Sequence, residues 1–240
     1  WDSLKQPQSR GDFMDEGVSY FERTMNSSAQ QTALDSDLLV LQERLQAEMT
    51  EEQYEQALKT ADLWIEACGT TSREHLAHAY FIKGIILGQL NKLSGGVQLL
   101  LRAINLNGDG LLTRIEPSTF LIGLQMIVRH YCDSSNPKLA LEWQDSVINY
   151  AQKYNLLEES HFERRSYILM QLNKYGEAID DTRRSMYLQL EQRGVVHKDC
   201  QNYLQLLKYL HARERKLYKK ALICLEHYIN NNSIEDSKDC

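Results

Sequence analysis

One phrase recurs along this chain, and its recurrence constrains the fold more than any other feature. "QYEQALKTADLWI" from Gln53, "KYGEAIDDTRRSM" from Lys174 and "LYKKALICLEHYI" from Leu217 each carry Tyr, two spacer residues, then Ala and an aliphatic residue. "KLSGGVQLLLRAI" from Lys92 has Leu for the Tyr and Gly96 for the Ala, and "NPKLALEWQDSVI" from Asn136 keeps Ala140 and Leu141. "QLNK" stands just before the phrase at Gln89 and again at Gln171. Counted on the small residue, the series is Ala57, Gly96, Ala140, Ala178 and Ala221, at spacings of 39, 44, 38 and 43 residues. A period in this range means stacked supersecondary units, none of which can bury its apolar face alone.

Each phrase reads as the second helix of a helical hairpin. Ahead of it lies another apolar-periodic run: Leu76, Ala79, Tyr80, Ile82, Ile85, Ile86 and Leu87; then Phe162, Tyr167, Ile168, Leu169 and Leu172; then Tyr203, Leu204, Leu206, Leu207, Tyr209 and Leu210. These stripes are broad, as suits a helix with neighbours on two sides. The small residue lets two helix axes approach closely, and the Tyr packs at the turn between them. With only 3 Pro in 240 residues, helix is favoured over a turn-rich β fold.

The pattern resembles the tetratricopeptide repeat (TPR) family. Over 77–108, Tyr80, Gly84, Gly96, Leu100 and Ala103 fall where the family has its aromatic and small residues, with Lys83 and Leu87 as departures. Over 159–192, Phe162, Leu169, Tyr175, Ala178 and Ser185 match, and Arg165, Ser166 and Thr182 match less well. The resemblance extends over 38–229 and implies an all-α, right-handed solenoid of about five stacked antiparallel helix pairs. The family repeat is 34 residues, so lengthened helices or loops are expected here. The expected organisation is an N-terminal arm or cap at 1–36, the repeat domain at 37–229 and a tail at 230–240. The arm is polar around an island that includes Phe13, Met14, Tyr20 and Phe21, which reads either as a docking motif or as a cap over the first repeat.

"NLNGDGLLTRIE" from Asn105 matches the spacing of an EF-hand calcium loop. It opens on Asn rather than Asp, carries charge only at Asp109, Arg114 and Glu116, is followed by Pro117 and has no second loop to pair with. It is expected instead to be the turn between two repeats, with Gly108 and Gly110 supplying the bend. Other constellations are weak. Cys68, His75 and His78 lack a fourth zinc ligand. Glu177, Asp180 and Asp181 read as a solvated face paired with Arg183 and Arg184. No phosphate-binding glycine motif and no triad spacing appears. No enzyme activity, cofactor, metal or small-molecule substrate is expected.

The five cysteines are odd in number and far apart, as suits reduced thiols in a cytoplasmic or nuclear protein. No apolar run is long enough to span a membrane, and no signal-peptide pattern opens the chain. Net charge is -6, but residues 159–229 carry 13 Lys/Arg against 9 Asp/Glu. The expected function is a scaffold or adaptor that binds a peptide or helical segment of a partner protein. In TPR-like proteins the first helix of each pair lines the concave face. The resemblance thus points to His78, Phe81 and Ile85, to Gln125 and Arg129, to Glu163 and Tyr167, and to Tyr203, Leu206, Leu210 and Arg213. Phe81, Ile85, Leu206 and Leu210 serve equally well as packing between repeats. The family's carboxylate clamp is not expected, because its places hold Gln42, Gln46, Phe81 and Ile85. Arg213, Arg215, Lys216, Lys219 and Lys220 cluster at the last hairpin turn, as a solvated turn or a landing site for an acidic segment. The alternative function is a helical-repeat RNA-binding protein, for which "RERKLYKK" from Arg213 is the one dense basic run.

Overall fold

In the computed structural model the described residues are 36–69 and 73–233, with the side chains of 107–114, 218 and 230–233 left aside. All regular structure among them is helical. In chain order the helices are α1 (36–50), α2 (Tyr54–Cys68), α3 (Arg73–Gln89), α4 (Leu93–Arg114), α5 (Pro117–Asp133), α6 (Pro137–Lys153), α7 (Glu159–Gln171), α8 (Tyr175–Arg193), α9 (Lys198–Glu214) and α10 (Tyr218–Ser233). They form five antiparallel pairs stacked in sequence, the second helix of each pair resting on the first helix of the next. The candidate motif at Phe13, Met14, Tyr20 and Phe21 lies outside the described residues, and α10 runs to Ser233, past the expected start of the tail.

The five hairpin turns are built alike. Each is three residues long, and the middle one has a positive φ: Glu52, Asn91, Ser135, Asn173 and Lys216, at 54° to 59°. The next residue donates its N–H to the carbonyl five residues back, at 2.8–2.9 Å in every turn, from Gln53 to Glu48 through to Leu217 to Ala212. That bond closes the orphan carbonyls at the end of the first helix. Five residues after the positive-φ position comes the small residue of the sequence series: Ala57, Gly96, Ala140, Ala178, Ala221. All five are buried. The turn and the small residue are thus one device: the left-handed residue reverses the chain, and the missing side chain lets the second helix close onto the first.

Closure is tightest in the second pair. A Cβ on Gly96 would lie 2.5 Å from the carbonyl oxygen of Gly84, and one on Gly84 would lie 2.8 Å from that of Gly96. In the fourth pair Ser166 and Ala178 take those places, and the Ser166 hydroxyl bonds the Ala178 carbonyl oxygen at 2.8 Å.

The hairpin turns are three residues and the described connections between pairs no more than five, so the extra length of these repeats lies mainly in their helices. The segment from Asn105 shows where the sequence reading fails. Its backbone is helical through Arg114, so Gly108 and Gly110 form neither a calcium loop nor the expected turn. A helix rises about 1.5 Å per residue, which spreads the would-be ligands along a rod. The chain turns only at 115–116, where Glu116 is extended (φ -56, ψ 137) because Pro117 follows.

The core divides in two. The larger part runs from Leu38 in α1 to Ile168 in α7, around Trp64, Phe81, Ile86, Leu100 and Ile127. The smaller consists of Leu169, Ala178, Ile179, Leu204 and Leu207. At the far end, Leu222 and Ile229 of α10 are 57% and 51% exposed. They occupy the positions of Ile179 and Met186 in α8, which α9 covers.

Candidate functional site

The sequence singled out residues on the first helices of the pairs, and the structure sorts them by exposure. His78, Phe81 and Ile85 of α3 are interior, at 4%, 0% and 3% exposure. His78 stands edge-on to Trp64 at 4.9 Å. Phe81 stacks on Phe120 of α5 at 5.1 Å and lies over Gly123, where any side chain would collide with its ring. The stack continues through Tyr150 to Tyr154. Burial, with the neighbouring Tyr154 adding to it, pushes the Tyr150 hydroxyl up to about 12. These three residues join α3 to the core rather than facing outward, which is the packing role the sequence left open for Phe81 and Ile85.

Gln125 and Glu163 are half-buried and tied to other helices. His161 Nδ1 accepts the Glu158 N–H at 2.9 Å, so the ring proton sits on Nε2, 3.0 Å from the side-chain amide of Gln125. That bond calls for the amide oxygen of Gln125 to face the ring. Burial holds His161 below the usual histidine range. Glu163 accepts from Ser185 (3.0 Å), Gln189 (2.8 Å) and the Cys200 thiol (3.2 Å), joining α7, α8 and α9. Burial, partly opposed by the Gln189 hydrogen bond, pushes the Cys200 thiol up to about 11.

The remainder is accessible. Arg129 is exposed and only 3.8 Å from Asp133, Tyr167 is 49% exposed, and Tyr203, Leu206 and Leu210 are half-buried. The Tyr203 hydroxyl reaches Met170 Sδ at 3.7 Å. Arg213, Arg215, Lys216, Lys219 and Lys220 are all exposed. Two residues that the sequence reading passed over join this surface: Ile122 of α5, 43% exposed, and Arg164 of α7, which is exposed and close enough to Cys132 of α5 to lower its pKa against the larger upward effect of burial. Their signal was spacing, since Arg164 lies three residues before Tyr167 and Ile122 three before Gln125, on the same faces.

A second set of features lies in the clefts between successive second helices. Arg165 of α7 grips Asp181 of α8 with two bonds, at 2.6 and 2.8 Å, and Asp145 of α6 at 2.8 Å. Asp181 is 3% exposed, so it is not the solvated residue the sequence suggested; Asp180 and Glu177 are, paired with Arg183 and Lys174. The same contact occurs earlier in the chain, where Lys83 of α3 pairs with Asp62 of α2. One pair further on, a cleft of about 460 Å³ opens between α8, α9 and α10. Among the described residues no group of three His, Cys, Asp or Glu side chains could hold a metal, and no helix is long and apolar enough to cross a membrane.

No protein-family model matches the sequence, and no curated protein matches it significantly. Solved structures do match in fold. MamA from Desulfovibrio magneticus RS-1, from residue 41 to its end, aligns with 85% of this chain and 97% of its own at a TM-score of 0.55 and 14% identity. YrrB, described as a TPR protein with an unusual peptide-binding site, aligns with 78% of this chain and 82% of its own at 0.54 and 16%. MamA of AMB-1 aligns with 84% and 93% at 0.54 and 15%. The fold is a divergent TPR solenoid. The identities are low enough that the likeness concerns the fold and not the ligand.

With that register fixed, the first helices of the TPR pairs are α1, α3, α5, α7 and α9. Of the places where the family has its carboxylate clamp, Phe81 and Ile85 are filled by core side chains. On the later first helices, Ile122 and Arg129 of α5 and Arg164 and Tyr167 of α7 are exposed.

Proposed function

We propose that this chain is a non-catalytic scaffold that holds a segment of a partner protein on the outward faces of α5, α7 and α9. The observation that carries the reading is the set of exposed side chains there. Ile122 and Tyr167 are large and apolar yet 43% and 49% exposed, and Arg129 and Arg164 stand beside them. Exposed aromatic and arginine side chains on a rigid helical frame are the usual anchors of a protein interface. Tyr203, Leu206 and Leu210 extend the strip onto α9, and the basic turn at Arg213, Arg215, Lys216, Lys219 and Lys220 attracts an acidic stretch of the same partner. Solenoids offer extended surfaces of this kind, and YrrB is a TPR protein with a peptide-binding site. The four described cysteines are free thiols, which suits a reducing compartment, cytoplasm or nucleus.

The test is selection of binders from a random 12-residue peptide library on the full chain. Peptides are then measured against Tyr167→Ala with Arg129→Glu and against Tyr187→Ala, an exposed tyrosine of α8. Affinity that falls about tenfold in the first variant and holds in the second supports the reading. Peptides indifferent to the first variant, or an oligonucleotide displacing them, overturn it.

A further inference from the structure

The cleft between α8, α9 and α10 is the counterpart, one hairpin on, of the cleft between α6, α7 and α8, and its charge is reversed. Counted from the small residue of each hairpin, Asp145 corresponds to Arg183, Arg165 to Lys208, Glu177 to Lys220 and Asp181 to Cys224. In the first cleft, of about 300 Å³, the cation lies between two carboxylates and is neutralised there. In the second, the cation at the same position, Lys208, faces another cation where the first cleft has Asp145 and a thiol where it has Asp181.

The lining of the second cleft follows from this. Its walls carry Arg183, Lys208, Arg215 and Lys220, and its floor carries Ile179, Ala212 and Leu217. Among the described residues the one carboxylate that lines it is Asp180, held by Arg183 at 3.3 Å. His211 also lines the cleft and stands 3.9 Å from Glu214. Lys208, Arg215 and Lys220 make no ion pair among the described residues. Gathering Lys208, Arg215 and Lys220 around an apolar floor, with no carboxylate paired to them among the described residues, costs stability that an anionic ligand would recover.

We propose that this cleft receives an acidic segment of a partner protein, whose carboxylates pair with Lys208, Arg215 and Lys220 while an apolar side chain between them rests on Ile179, Ala212 and Leu217. The inference rests on reading the chain as a protein-binding scaffold. It extends the basic end of that scaffold into the cleft between the second helices α8 and α10, across α9. The cations come from α9, the turn after it and α10, so they match several separated single charges better than one compact dianion. Among the described residues no Phe, Tyr or Trp lines the cleft, and single-stranded nucleic acid is held by stacking on aromatic rings as well as by charge. An acidic peptide needs no such platform.

The first cleft supplies the decisive variant. Arg183→Asp with Cys224→Asp copies its two carboxylates around Lys208 and neutralises the second cleft with an internal ion pair. The probe is a fluorescein-labelled pentapeptide with Leu at its centre and Glu on both sides, followed by fluorescence anisotropy on the full chain at two salt concentrations. Salt-sensitive binding to the parent is expected, weakened at least about tenfold in the double variant. Lys59→Glu with Lys138→Glu, exposed positions remote from the cleft, lowers the net charge by a comparable amount and should change affinity less than about threefold. If circular dichroism shows the double variant unfolded, Lys208→Gln takes its place, with an expected loss of about fivefold. Affinity undiminished in the double variant overturns the proposal, as does an equal loss in the remote variant. So does a phosphoserine peptide or oligouridylate that binds where the Glu peptide does not. Peptides selected on the α5–α7 surface should bind the double variant like the parent. If they bind and the Glu peptide fails on the parent, this site alone falls; if neither binds, the scaffold reading falls with it.

Discussion

Gly95 and Gly96 are adjacent in α4, and substituting Ala at each should move stability in opposite directions. In a helix interior Ala is favoured over Gly by about 1 kcal/mol, whatever surrounds it. At Gly95, which is exposed, the new Cβ would find only Leu87 Cδ1 at 3.9 Å, so Gly95→Ala should gain most of that amount. At Gly96 the new Cβ would sit 2.5 Å from the Gly84 carbonyl oxygen and 3.3 Å from the Gly88 amide nitrogen. Both atoms belong to backbone and cannot rotate away, so α3 and α4 must separate by about 1 Å to reach ordinary contact. Overpacking of this kind costs about 1–3 kcal/mol, and fixed backbone neighbours place it at the upper end. Less the propensity gain, Gly96→Ala should lose about 2 kcal/mol. In a chain of this size that is a fall of roughly 4–8 °C in melting temperature. The assay is urea unfolding followed by tryptophan fluorescence, with Trp64 fully buried on α2 beside α3. A Gly96→Ala chain stabilised as much as Gly95→Ala would refute the account of why this position lacks a side chain.

Three further outcomes are expected. Ala178→Glu buries a charge at a site with no exposure, beside Ser166 and Thr182, and should cost several kcal/mol in urea unfolding; an unchanged midpoint would contradict the repeat register. Glu52→Gly should raise the midpoint by up to about 1 kcal/mol, since Glu52 holds φ 58° and glycine relieves the left-handed strain at some cost in unfolded-chain entropy; a lowered midpoint would show the Glu52 side chain to be stabilising. His161 titrates below its unfolded value, so its contribution is fully present above that value and is lost as pH falls through it, by at most about 1.4 kcal/mol per unit. Replacing it by Gln should remove that part of the slope between pH 7.5 and 5, and an unaltered slope would show that the ring is not held neutral by burial.

The solenoid was legible because its determinant is local. A turn of fixed length, one left-handed residue and a small residue five positions on all lie within a few residues, so their recurrence is written in the chain. What failed to read was set by neighbours on other helices. The glycines at 108 and 110 resemble turn residues, but the helix continues through them and Pro117 fixes the break. Phe81 sits on a broad apolar stripe, and only the presence of Gly123 opposite decides that it points inward. Asp181 shares a sequence cluster with two solvated acids, and its burial depends on Arg165, 16 residues earlier on another helix. The basic cleft is invisible one residue at a time. It appears only when α8 and α10 are superposed in register and their charges compared.

The division of the core carries a mechanical consequence. In a stacked array each pair is held mainly by its neighbours, so the chain need not come apart in one step. The last two pairs share a small apolar cluster and the polar ties of Cys200 and His197 to Glu163 and Gln189, while Leu222 and Ile229 of α10 stay exposed. A chain drawn out from its C-terminal end would therefore release α10 and α9 first, at low force, with the pairs around Trp64 and Phe81 still intact. The basic cleft belongs to the section that yields first. An acidic segment lodged there would span α8, α9 and α10 and act as a clasp, so its binding would be read not only as affinity but as a rise in the force, and a slowing of the amide exchange, of the last two helices.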